Sequence, residues 1–181
     1  MLDDYYRKAD AVTAIELEDE NGKRKSQTTL LIEIADRFEL FHDDDDNGYA
    51  VITTDDYRKV LPVRSKEFRR LLSGDFFELT GIGCNPNSIK GALDTIEAKA
   101  IKYGDLRKTY IRVAHLRSSC AATSHQIVID IGDSTWRVIR VTADGWEILD
   151  RSPVEFIRKP GMLELPEPAR HGDIHQLREF L

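Results

Sequence analysis

Arg58, Lys59, Arg64, Lys66, Arg69 and Arg70 crowd into the short stretch YRKVLPVRSKEFRR. Clustered guanidinium and ammonium groups are what phosphate binding requires, because each neutralised phosphate releases condensed counterions. Lys66, Arg69 and Arg70 fall on the polar side of a helix expected after Ser65, with Arg64 at its entry and Arg58 and Lys59 assisting from the preceding strand. No base-reading motif accompanies them, so contact with DNA independent of sequence is the expectation. The competing account is structural: a helix packed through one apolar stripe must carry charge on its other side.

Other groups point to weaker chemistry. Asp43-x-Asp45-x-Asn47-Gly48 alternates oxygen ligands and closes on a glycine, as in the first half of a calcium loop. The twelfth position of such a loop is Thr54 here instead of a bidentate glutamate, and strand-like residues follow where a helix is needed. A solvated acidic turn is the favoured reading. The histidines His42, His115, His125, His171 and His175 show no HExxH spacing; His171 and His175 stand at i, i+4, but in a polar tail where solvent exposure is expected. Ser118, Ser119 and Cys120 sit in an expected hairpin loop with no nucleophile elbow around them. The run from Ile127 to Thr135 (IVIDIGDST) resembles the strand-turn-strand phosphate motif of actin-like ATPases, yet a hairpin with a Gly-Asp-Ser turn is favoured, since no second phosphate motif follows. Asp130 and Asp133 would hold magnesium for a nucleic-acid enzyme only by converging with a third acid. No GxxxxGK[ST] loop and no GxGxxG occurs, so no nucleotide cofactor and no catalysis are expected of this chain. Trp136, Trp146, Tyr49 and Tyr110 lie on expected strands, where alternating aromatics are usually core and only sometimes stacking platforms.

Composition narrows the setting. A chain of 181 residues, 41% hydrophobic and 32% charged, buries a core without disulfides or metals. The formal charge of −6 counts against coating DNA by bulk charge. Acids pile up at Asp43 to Asp46 and from Glu16 to Glu20, which leaves residues 58–70 locally basic. Cys84 and Cys120 are far apart, as expected of free thiols in a reducing, cytoplasmic compartment. The start MLDDYY has no basic segment followed by an apolar one, and no apolar run approaches the ~20 residues that span a bilayer.

The elements that must position these groups are legible from periodicity. Residues 1–26 read as an arm or linker ending in a turn at Asn21-Gly22. From Gln27, Leu30, Leu31, Ile34, Ala35 and Phe38 repeat at helical spacing, with Ser26 or Thr28 as cap. Tyr49–Thr54 and Lys59–Val63 read as strands, Pro62 placing the second at an edge or strand end. A second helix carries the stripe Phe68, Leu71, Leu72, Phe76 and Leu79, with Gly81 to stop it. Asn85-Pro86 opens a third helix that runs to Tyr103-Gly104. From Thr109 the period changes to two, predicting an antiparallel meander with an Asp-Gly turn before Trp146 and one more strand near Val154–Arg158. The expected fold is α+β, about three helices packed on one face of an antiparallel β-meander of five to seven short strands over 27–158. Residues 159–181 read as an extended Pro-rich tail with a short terminal helix at Asp173–Phe180.

The succession LFHDDDDNGYA (40–50), VLPVRSKEFRRLL (60–72), LDTIEAKA (93–100), YIRVAH (110–115), IVIDIGDSTWRVIRVTADGW (127–146), FIRKPGMLELPEP (156–168) and GDIHQLREFL (172–181) resembles the segment that precedes the P-loop ATPase domain in phage and mobile-element primase-helicase proteins. The resemblance implies a non-catalytic accessory domain, truncated or split from its motor, with a helicase or ATPase domain in the same or a separate chain as partner. It carries over no catalytic residue. A protein-interaction or oligomerisation module that positions a separate ATPase or primase is the alternative, and it predicts weak dependence on salt.

Overall fold

The computed structural model describes residues 15–117 and 125–169. In chain order the elements are α1 (Gln27–Ala35), β1 (Glu39–His42), β2 (Gly48–Thr53), β3 (Arg58–Pro62), α2 (Lys66–Thr80), α3 (Pro86–Tyr103), β4 (Asp105–Leu106), β5 (Thr109–Tyr110), β6 (Val113–Arg117), β7 (His125–Asp130), β8 (Val138–Thr142), β9 (Gly145–Leu149) and β10 (Glu155–Phe156). The class is α+β.

Each helix starts where a side chain can accept a free N–H. The Ser26 hydroxyl accepts from Thr29, Ser65 from Phe68, and the Asn85 side chain from Asn87, with Pro86 in the first turn of α3. Gly81 stops α2 in a left-handed conformation, φ 71°, which glycine adopts without penalty. The first helix ends at Ala35, short of Phe38, whose ring instead meets Phe68 edge-on at 5.7 Å.

Among the described residues the strands form three sheets. One has the order β3-β2-β1-β4, antiparallel except for the β1 and β4 pair; β5 and β10 pair in parallel; β6-β7-β8-β9 is an antiparallel meander. The helices cover the first sheet, not the meander: α3 lies on β1 and β2, α2 meets β3, and α1 crosses both other helices. Leu31, Phe68, Leu72, Phe76, Ile96 and Val63 are fully buried in that layer.

The opposite face of the first sheet is buried too, through Phe41, Tyr49, Val51 and Val60 with Ile157 against them. This double burial explains why β2 reads as a continuous apolar run instead of an alternating one. The meander buries Ala114, Val128 and Val138 against Phe156. So the strands expected beneath the helices divide between two layers, and the residues around β10 join them.

The turn at Asn21-Gly22 is present, Gly22 having φ 72°. Beyond Phe156 the described chain has no regular structure and is held at Leu165, whose N–H donates to the Ile131 carbonyl at 2.7 Å. The terminal helix expected at Asp173–Phe180, the pair His171 and His175, and the loop with Ser118, Ser119 and Cys120 lie outside the described residues. Among the described residues no helix is long and apolar enough to cross a membrane.

Candidate nucleic-acid interface

Helix α2 (KEFRRLLSGDFFELT) buries Phe68, Leu72, Asp75 and Phe76, packs half-buried Leu71 and Leu79 against the same core, and exposes Lys66, Glu67, Arg69, Arg70, Phe77 and Glu78. Positions i, i+3, i+4, i+7 and i+11 of a helix share one face. Counted from Lys66, these are Arg69, Arg70, Ser73 and Phe77. Lys66, Arg69 and Arg70 are exposed, and their side chains form no ion pair with the described residues. The carboxylates of α2 fall elsewhere: Glu67 and Glu78 lie to one side, and Asp75 points inward to an ion pair with Arg37. The Ser73 hydroxyl turns back to donate to the Arg69 carbonyl at 2.9 Å.

The other three predicted cations do not join this face as available charge. Arg58 makes two 2.7 Å hydrogen bonds to the Glu155 carboxylate. Lys59 is 9% exposed and donates to Glu67 at 2.7 Å, its ammonium also over the Tyr57 ring. Arg64 donates through Nε to Glu97 at 2.8 Å and also binds Asp94. Hydrogen bonds to Glu97 first and Asp94 second hold its guanidinium still further above its usual range. Each of these three links β3 or its exit to another element, so their charge is compensated by carboxylates of the same fold, for Arg64 at the exposed surface.

The acidic turn is closed on itself. Asp43 accepts from the Asp45 and Asn47 N–H groups, the Asn47 amide and, at 2.7 Å, the Tyr49 hydroxyl. Burial opposes ionisation of Asp43, but those hydrogen bonds prevail and keep its carboxyl below the usual range. Burial and the same contact push the Tyr49 hydroxyl well up. A carboxylate used this way is the hub of a turn; Asp43 itself is buried, unlike the solvated turn expected, while Asp44, Asp45 and Asp46 remain exposed.

Asp130 and Asp133 are likewise engaged by cations. Asp130, fully buried, accepts two hydrogen bonds from Arg158, at 2.7 and 2.9 Å, and one from the Gly132 N–H. Asp133 accepts from Arg137 and Thr135. The Arg158 guanidinium stacks 3.8 Å above the Trp136 ring. His115 and His125 face each other across β6 and β7, with ring nitrogens 3.2 Å apart.

The aromatics expected on strands are mostly occupied, and Trp136 stands in the loop before β8 with φ 61° instead of on a strand. Tyr49 stacks on Phe41, Tyr110 tilts against Phe156, Trp136 lies under Arg158, and Trp146 is half-buried. The aromatic that sequence reasoning passed over is Phe77, 58% exposed beside the cations of α2. Its signal was present, because Phe76 on the apolar stripe forces its neighbour roughly 100° round the helix. Compared with family models, curated proteins and solved structures, the chain matches none.

Proposed function

We propose that this chain is a non-catalytic accessory domain of a phage or mobile-element helicase or primase-helicase, and that it holds DNA independently of sequence through α2. The observation that carries the DNA contact is the outward face of α2, where Lys66, Arg69 and Arg70 share one side with no carboxylate among them. The link to a motor protein rests on the resemblance of the quoted segments. A net charge of −6 does not oppose this, since phosphate feels the local field, and the helix's own acids lie off that face. A cytoplasmic setting accords with the role and with the sparse cysteines.

The test is fluorescence anisotropy of labelled DNA titrated with the full chain at low and moderate salt, comparing wild type with Lys66→Glu/Arg69→Glu/Arg70→Glu. Wild-type binding should weaken steeply with salt. The triple variant should lose most affinity and lower the log–log salt slope by roughly two to three, one step per lost phosphate contact. Absence of wild-type binding at low salt sinks the reading.

One observation favours the alternative, a protein-interaction module that positions a separate ATPase or primase. On the outer face of the meander Val113 and Ile127 are 53% and 41% exposed and share that face with half-buried Ile129, Val141 and Ile148. Exposed apolar surface of this kind marks association sites. Partner binding there would be nearly indifferent to salt and to the α2 charge reversals.

A further inference from the structure

We infer that the α2 face takes single-stranded rather than duplex DNA, with Lys66, Arg69 and Arg70 holding phosphates and Phe77 stacking on an unpaired base. This rests on the reading of α2 as a DNA-contacting helix and goes beyond it by naming the substrate class. Phe77 lies about 10 Å along the helix axis from Arg70, on the same side. It belongs to none of the three core clusters and meets no other aromatic ring among the described residues. A ring 58% exposed contributes little to folding where it stands.

The chemistry of the two DNA forms decides between them. In a duplex the base faces are stacked on one another, and only their edges reach the grooves. A flat ring beside the phosphate-binding cations therefore finds no π-face there. In a single strand every base offers one, and stacking on an aromatic side chain is tolerant of sequence. The three cations alone would serve either form, since both present phosphates. It is the combination with Phe77 that selects the single strand.

The test compares three labelled probes against the full chain: an oligothymidylate, an abasic oligomer of the same length carrying the same phosphates without bases, and a duplex. Wild type should prefer the oligothymidylate to the abasic strand by about tenfold. Phe77→Ala should erase that preference and leave abasic affinity unchanged, whereas Phe77→Trp should keep it. Equal wild-type affinity for the two strands, duplex binding as tight as that of the oligothymidylate, or a preference that survives Phe77→Ala overturns the single-strand inference. If the charge-reversed triple variant still loses binding in that case, α2 remains the DNA-contacting helix. If the triple variant binds every probe as wild type does, or wild type binds none, both conclusions fall together. Because Phe77 lies outside the core, matching thermal melts of Phe77→Ala and wild type exclude unfolding as the cause.

Discussion

At the scale of single residues, α2 carries an uneasy group directly opposite its cationic face. Asp75 is 6% exposed, and its Oδ1 has no hydrogen-bond partner among the described residues. Burial raises its carboxyl to about 6, with Glu78 adding to the rise and Arg37 opposing it. A carboxyl whose pKa is raised by folding binds more protons folded than unfolded over the interval between the two values. Its contribution to stability is therefore full below the unfolded value and fades as pH climbs through about 6. The difference is on the order of 2–3 kcal/mol. Denaturant unfolding at pH 4.5 and at pH 7 should show Asp75→Asn lacking this loss, so that the variant gains on wild type as pH rises. Parallel pH dependence of the two proteins would show that Arg37 neutralises the pair completely.

At the scale of elements, the junction of α3 with β1 depends on an absent side chain. Gly104 has φ −78°, open to any residue, but a Cβ there would strike the Ala100 carbonyl and come within 2.7 Å of the Leu40 carbonyl and 2.9 Å of the Phe41 Cα. All three are backbone atoms that cannot step aside. Gly104→Ala should thus lower stability by about 1–3 kcal/mol, measured by chemical denaturation. Gly91, in the middle of α3, has room: the nearest atom to an added Cβ is a Thr28 methyl at 3.9 Å. Gly91→Ala should raise stability by about 0.5–1 kcal/mol through helix propensity. Opposite signs for two glycines in and just after one helix test the packing and not the residue type.

At the scale of the whole molecule, Arg58 and Glu155 join the helix-covered sheet to the C-terminal layer across 97 positions of sequence. Arg107 also binds Glu155 and reaches Glu39 and Asp105, its guanidinium 5.3 Å from the Phe41 ring centroid. The Glu155 side chain is 11% exposed, so removing its main partner leaves a carboxylate poorly solvated. Arg58→Ala should cost about 2 kcal/mol of stability, discounted for Arg107 remaining in place, and should leave the salt slope of DNA binding unaltered. A fall in DNA affinity with unchanged stability would instead return Arg58 to the phosphate-contacting set.

What the sequence determined by itself was local. Ser65 and Gly81 bound α2, Asn85-Pro86 opens α3, and apolar residues at helical spacing set the buried sides, because capping and periodicity act over a few residues. The outward placement of Lys66, Arg69 and Arg70 follows from the same arithmetic, and Phe77 was readable by it. Strand β1 was not legible, since a four-residue stretch gains strand character only by pairing with β2 and β4. Nor was the covering of both faces of β2, which hides the alternation that marks a half-buried strand. Above all, only the tertiary structure decided which cations keep their charge available. Arg64 meets Glu97 and Asp94 from a different helix, and Arg58 meets Glu155 from the far end of the chain. Ion pairing depends on distance in space, and chain separations of this size carry no local signal for it.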